Sequence, residues 1–437
     1  MPDYGWAAPA GGDNARGDPT EETPAMVNDF DLTNPDFFVS GDPHSVWKEL
    51  RAADPVHWTE RQNKRGFWSI TKYDDAQRVY RDPTSFSSQG GIALGFADAP
   101  DPNQPRMLFG FGQMMITTDP PRHGRIRQML NRRFTPRALA PHEPHVRAIT
   151  RDIIDVVAEQ GRCDLVVDVA AKLPTAVICE MLAVPRQDWD LMFALGNMTV
   201  GNEDPEYQVE GSAQRTGAQA QRDIFNYFMK LIGERRSNPG DDLVSALVHG
   251  EIEGDHLSDL EVLFNCFLLI LGGQETTRNA ITGGMDALMR CPADRERLAR
   301  DPALMPTAIE EILRWTSPIT HIMRTATRAV ELRGRSIQEG DRVVIWNPSA
   351  NRDEEVFADP YRFDLARKPN DHIAFGYGEH FCIGANLARL ELRVMLEELL
   401  RRMPDMAPAG PPERLRSNLL AGIKHLPVTF TPVRVAA

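Results

Sequence analysis

The sequence predicts a mainly α-helical protein with a smaller β portion, and three observations lead there. From about Asp74 onward, apolar residues recur at three- and four-residue spacing, as in Ile149-Ile153-Val157, Phe225-Phe228-Ile232 and Ala388-Leu392-Met395-Leu399. That is the period of helices burying one face. Strand-like segments are confined to two blocks, Val56–Thr71 and Met323–Ile345. No internal repeat or linker divides the chain. A single domain over 25–437 is therefore expected, after a flexible tail over 1–24 that holds four Gly and four Pro and no periodic apolar face.

Taken in order, Asp42-Pro43 opens an amphipathic helix through Val46 and Leu50 that must stop before Pro55. Val56–Trp58 and Phe67–Thr71 then form a hairpin around the turn-prone Asn63. Asp119-Pro120-Pro121 starts a helix that places His123 and Arg127, four residues apart, on one face. Ser258–Met289 reads as one helix of about 32 residues, roughly 48 Å long. Its apolar middle, Phe264–Leu271, suits a helix crossing the core. The stretch 347–381 is irregular, and Ala385 to about Arg402 is a last long amphipathic helix.

Composition narrows the function. The 437 residues are 42% hydrophobic and 25% charged, ordinary for a globular protein. The longest apolar run, Cys266–Gly273, is far short of the ~20 residues of a membrane span. No charged, apolar leader opens the chain, so a cytoplasmic protein without a membrane anchor is expected. A net charge of −13 argues against nucleic acid as partner. The five cysteines, at 163, 179, 266, 291 and 382, contain no CxxC pair, which reads as neither a disulfide framework nor a zinc ribbon.

Cys382 differs from the other four. It lies in Phe375-Gly376-Tyr377-Gly378-Glu379-His380-Phe381-Cys382-Ile383-Gly384, just before a long helix whose N-terminal dipole favours a thiolate. The glycines let backbone approach a flat ligand closely, and Phe375 and Phe381 can wall off the sulfur. A lone cysteine in such a turn is ordinarily a buried structural thiol. The full spacing Phe-x-x-Gly-x-x-x-Cys-x-Gly, however, resembles the haem-ligand loop of the cytochrome P-450 family.

Three further segments carry the resemblance, in family order. Gly272-Gly273-Gln274-Glu275-Thr276-Thr277, in the middle of the long helix, is similar to the family's acid–alcohol motif. Gly-Gly alone suits a close helix crossing. The resemblance implies instead a groove and helix break over the iron, Gly273 against the cofactor, and Thr276 and Glu275 delivering protons as catalytic residues. Glu311-Ile312-Leu313-Arg314 resembles the ExxR pair, with Arg362 of Pro360-Tyr361-Arg362-Phe363 as its structural third member. His123, Arg127, Arg324 and His380 match positions that hold the haem propionates; Phe375 and Gly376 line the cofactor.

The resemblance thus implies the cytochrome P-450 fold, with haem b held by Cys382 as the iron's axial ligand. It implies a monooxygenase that inserts one oxygen atom from O2 into a small apolar substrate by hydroxylation or epoxidation. No dinucleotide, flavin or iron–sulfur motif is present, so NAD(P)H acts only indirectly, through a separate reductase and ferredoxin. The basic run Arg122, Arg125, Arg127, Arg132, Arg133 is the expected ferredoxin-docking patch on a monomer. Substrate contacts are expected at Phe96, Leu108, Phe109, Ile319, His321, Ile322 and Leu420. The segment 414–428 is similar to that of members oxidising lipids, sterols and terpenoids. Two other readings stay open: peroxide-driven oxidation or oxidative coupling on the same fold, and a non-enzymatic haem sensor.

Overall fold

The computed structural model describes residues 31–61, 64–98, 110–209 and 211–434. The expected tail over 1–24 lies outside them. Helices dominate, and their boundaries follow sequence signals. Asp42 accepts from the amides of His44 and Ser45 and caps the helix Pro43–Ala53. Ser258 and Glu261 form a reciprocal capping box at the start of the long helix Asp259–Arg290, an arrangement that contributes about 1 kcal/mol.

That long helix crosses the interior. Its central residues Phe264, Cys266, Phe267, Leu269 and Ile270 are buried around its circumference, which explains why this stretch lacks the polar face of the other helices. It packs on Lys172–Met181, Trp189–Val200, Met305–Thr316 and Ala385–Arg402. The expected break does not occur. The helix is continuous from Asp259 to Arg290, because the Thr276 hydroxyl donates to the Gly272 carbonyl at 3.1 Å without displacing the backbone ladder.

The β portion is mainly one five-stranded sheet ordered Val56–Thr59, Phe67–Ile70, Arg342–Trp346, His321–Ala326, Phe86–Ser87. Only the pairing of Phe67–Ile70 with Arg342–Trp346 is parallel. The sheet brings residues from both ends of the chain beside His321–Ala326. The irregular stretch contains a single turn of helix, Asn347–Ala350, and a short 3-10 turn, Gly378–His380. No helix among the described residues is long and apolar enough to cross a membrane.

Candidate active site

The cysteine loop is shaped by two glycines in the left-handed region, Gly376 at φ +70° and Gly378 at +69°. A side chain at Gly378 would sit 2.8 Å from the Tyr80 carbonyl oxygen, so both conformation and space exclude one. The Cys382 amide donates to the Phe375 carbonyl at 2.9 Å, closing the loop onto itself. Arg389 stacks over the Phe375 ring at 4.7 Å. Phe381 is more open than expected, at 39% exposed.

Cys382 is partly accessible, toward the cavity it lines. Burial pushes its thiol up from the ordinary value, outweighing the Gly384 amide and the Arg127 and Arg389 charges. A coordinated cation would favour the thiolate.

The cavity has a volume of ≈ 260 Å³ and lies between this loop and the long helix, with Gly272, Gly273, Thr276 and Thr277 on its opposite wall. The two glycines divide their tasks. A Cβ on Gly272 would meet nothing within 4 Å, whereas one on Gly273 would lie 2.6 Å from Ile178 Cγ1. A side chain on Gly272 would thus meet open space, while Gly273 both borders the cavity and admits Ile178 at a helix crossing.

Glu275 also departs from expectation. It is 2% exposed, faces away from the cavity, and pairs with Arg278 on the same helix. Thr276 alone of the acid–alcohol pair borders the cavity.

At one edge, His123, Arg127, Arg324 and His380 converge as expected. The rings of His123 and His380 stack at 4.1 Å, and Arg324 lies over the Tyr80 ring at 5.6 Å. Burial, then the charges of Arg127 and Arg324, pushes His123 down to about 4. Burial, then Arg324, His123 and Arg127, pushes His380 down to about 2. Both rings are consequently neutral N–H donors rather than cations, and the positive charge belongs to Arg127 and Arg324. Two guanidiniums and two imidazoles around one cavity edge, none in an ion pair with a carboxylate among the described residues, form a donor set that a ligand bearing carboxylates would complete. With a sulfur on one face and an open glycine wall on the other, these residues fit haem.

The ExxR pair is fully buried: Arg314 Nε and Nη2 each donate to Glu311 at 2.8 Å. Its third member is Arg367, whose Nε donates to Glu311 Oε2 at 3.0 Å. Arg362 is exposed and supplies only its carbonyl, to Arg314 and Arg367. The two arginines lie five residues apart in an irregular stretch, where spacing gives no orientation; only the turn after Pro360 decides which points inward.

Among expected substrate contacts, Ile319 and Ile322 line the cavity. His321 does not. It is wholly buried, with Nδ1 3.0 Å from the Asn418 carbonyl and Nε2 accepting from the Leu94 amide at 3.2 Å. Burial pushes it down to about 4, so it is a neutral bridge between backbone segments; in a strand, its neighbours' orientation excludes its own. Leu420 borders a separate pocket of ≈ 50 Å³ with Trp47 and Thr320. Leu108 and Phe109 lie outside the described residues, as does the side chain of Phe96. Met115, Ile116, Ile178, Leu268 and Leu269 line the cavity without having been expected; apolar helical residues carry no mark separating cavity wall from core. Glu391 was also missed. It is buried, borders the cavity, and its Oε2 lacks a protein partner.

The basic run is partly neutralised. Arg122 pairs with Asp255 and Glu261, Arg125 with Asp255 and Glu253, and Arg133 with Asp241. Arg127 turns to the cavity, and Arg132 is exposed.

Residues 207–404 match the family model described as Cytochrome P450. The chain is 40% identical over 428 residues to the methyl-branched lipid omega-hydroxylase of Mycobacterium tuberculosis, covering 95% of this chain and 97% of that one. It is 38% identical over 419 residues to the steroid C26-monooxygenase of Mycolicibacterium smegmatis, covering 94% and 95%. Its fold matches a Mycobacterium marinum cytochrome P450 solved in complex with pseudoionone, with a TM-score of 0.85 and 33% identity over 95% of this chain and 100% of the other. A sulfur facing an open helix groove, a propionate-like cradle at one edge and end-to-end likeness to these enzymes lead to one conclusion: the chain belongs to the cytochrome P450 family and is a monooxygenase.

Proposed function

We propose that the enzyme hydroxylates an apolar, chain-bearing lipid, sterol or terpenoid. The observation that carries this reading is the cavity itself. Ile116, Ile178, Leu268, Leu269, Ile319 and Ile322 give it apolar walls, with Thr276 as a polar group opposite Cys382. Such walls orient a substrate by shape and by exclusion of water. The relatives named for methyl-branched lipids and steroids support the same substrate class.

Haem b, when bound, supplies dioxygen activation and transfer of one oxygen atom. The chain's own residues set the conditions. Cys382 would supply the thiolate that holds the iron, and Arg127 and Arg324, with N–H donation from His123 and His380, would hold the propionates. Thr276 positions a proton at its hydroxyl, and Glu275 restores it from the other side of the helix. Retention of both groups supports the O2-dependent reading over a peroxide-driven one.

Electrons come from NAD(P)H through a reductase and ferredoxin. Because Arg122 and Arg125 are engaged with acidic neighbours, the docking surface centres on the exposed Arg132 and Arg137 beside the cysteine-side helix.

Two measurements test the reading. The reduced, carbon monoxide-bound protein should show a strongly red-shifted Soret band that Cys382→Ala abolishes; persistence in the variant refutes the ligand assignment. Branched fatty acids, sterols and terpenoids should produce spin shifts and hydroxylated products. If none of these classes does so while another does, the substrate assignment is wrong.

A further inference from the structure

The face of the long helix turned away from the cavity carries a second polar group. Glu275 and Arg278, each 2% exposed, are joined through Oε2 and Nη2. Arg278 Nη1 donates to Asn197 Oδ1 at 2.7 Å, reaching the helix Trp189–Val200. Gln274 meets that helix one residue earlier. A Cβ on Gly196 would lie 2.3 Å from Gln274 Oε1 and 3.9 Å from Glu275 Oε1.

Four atoms at this crossing lack a protein partner: Gln274 Oε1 and Nε2, Glu275 Oε1 and Arg278 Nε. Leaving such atoms dry in the interior carries the desolvation cost of each. Buried water with two to four polar partners is the usual remedy, while the missing side chain at Gly196 lets the Gln274 amide approach the neighbouring helix. Tyr207, in the turn Pro205–Tyr207, is the nearby titratable group, its phenol feeling the charges of Arg278, Glu206, Glu275 and Asp204.

We propose that Gln274, Glu275, Arg278 and Asn197 enclose a hydrated chamber, and that Arg278 is a positioning residue holding the Glu275 carboxylate there between proton deliveries. A chamber water gives a proton to Glu275 Oε1 and draws its replacement from solvent. The neutral acid loses its attraction to Arg278, turns toward Thr276 and gives the proton to that hydroxyl, which passes its own proton into the cavity. The carboxylate then returns to Arg278. Burial pushes the Glu275 carboxyl up, and the Arg278 charge and hydrogen bond oppose that shift. This inference rests on Glu275 being the relay acid.

The test compares holoenzyme carrying Arg278→Gln, Arg278→Lys or Glu275→Gln. In Arg278→Gln, infrared difference spectra should gain a protonated carboxyl band that disappears when Glu275→Gln is added. The solvent isotope effect on turnover should rise, and kcat should fall about tenfold with KM nearly unchanged, within the range of a general acid. Arg278→Lys should restore most of kcat. A slow Glu275→Gln enzyme alongside Arg278→Gln with unaltered band and isotope effect overturns the role of Arg278. Normal coupling and isotope effect in Glu275→Gln overturn the relay reading itself. Gly196→Ala keeps the test open if Arg278→Gln fails to fold: its methyl displaces the amide end of Gln274, one of the polar groups around the chamber, and an unchanged isotope effect there refutes the chamber.

Discussion

Arg367 Nε lies 3.0 Å from Glu311 Oε2, in the bifurcated grip that also receives Arg314 Nε at 2.8 Å. Two guanidiniums thus converge on one carboxylate at zero exposure. The Arg314 Nη1 group ties the arrangement to the carbonyls of Asn351 and Pro360, on the approach to the cysteine loop.

Removing Arg367 should therefore destabilise the holoenzyme by about 1–3 kcal/mol, the usual cost of losing a buried charge-assisted hydrogen bond, since Arg314 still holds the Glu311 carboxylate. Arg362→Ala retains the carbonyl that Arg314 and Arg367 use, and should stay within about 0.5 kcal/mol of the parent. Denaturant midpoints and haem content check both; equal effects would contradict the assignment.

The glycine pair separates in the same manner. Gly272→Ala should leave stability intact or raise it by up to about 1 kcal/mol from helix propensity, while narrowing the cavity and weakening binding of bulky substrates. Gly273→Ala drives a methyl against Ile178 and should cost about 1–3 kcal/mol. Ile178→Ala in the Gly273→Ala background should recover part of that loss, read as a coupling energy from thermal unfolding.

Thr276→Ala should uncouple electron use from product formation, releasing hydrogen peroxide, with product per electron pair down about tenfold or more. Substrate-induced spectral shifts should persist because the cavity's apolar walls are untouched. Unchanged coupling would remove Thr276 from the proton route.

Glu391 supplies a pH prediction. Burial pushes its carboxyl up to about 8 from 4.5. Below 4.5 both folded and unfolded chains hold the proton. Between 4.5 and about 8 the unfolded chain ionises while the folded one does not, so this group's contribution to stability is lost as pH rises across that window and is level above it. The slope is about 1.4 kcal/mol per pH unit. Glu391→Gln should flatten the decline of the holoenzyme's Tm over pH 5–8 relative to the parent. Parallel Tm curves would show that Glu391 does not titrate there.

Local signals made much of this site legible. Ser258 and Glu261 mark the start of the long helix because a capping box is a contact between neighbours in sequence. The glycines of the cysteine loop are demanded by local backbone angles. Glu311 and Arg314 meet because helix geometry places them one turn apart. By contrast, choosing Arg367 over Arg362 depends on a turn of irregular chain. The burial of His321 depends on Asn418 and Leu94, distant in sequence. The arginines of the basic run look free until a hairpin more than a hundred residues later supplies Asp255.

By itself, then, the sequence determined the helical class, the long core-crossing helix, the glycine-rich cysteine loop and the cations that gather at one cavity edge. These follow from periodicity, capping and motif spacing, all of which act over a few residues. Only the tertiary structure decided that Gly273 and not Gly272 meets Ile178, that Glu275 turns from the cavity to Arg278, and that Arg367 completes the buried ion cluster. Each of those outcomes is set by which helix or loop arrives opposite a residue. The direction of a side chain on a packed face is fixed by a neighbour that local sequence does not contain.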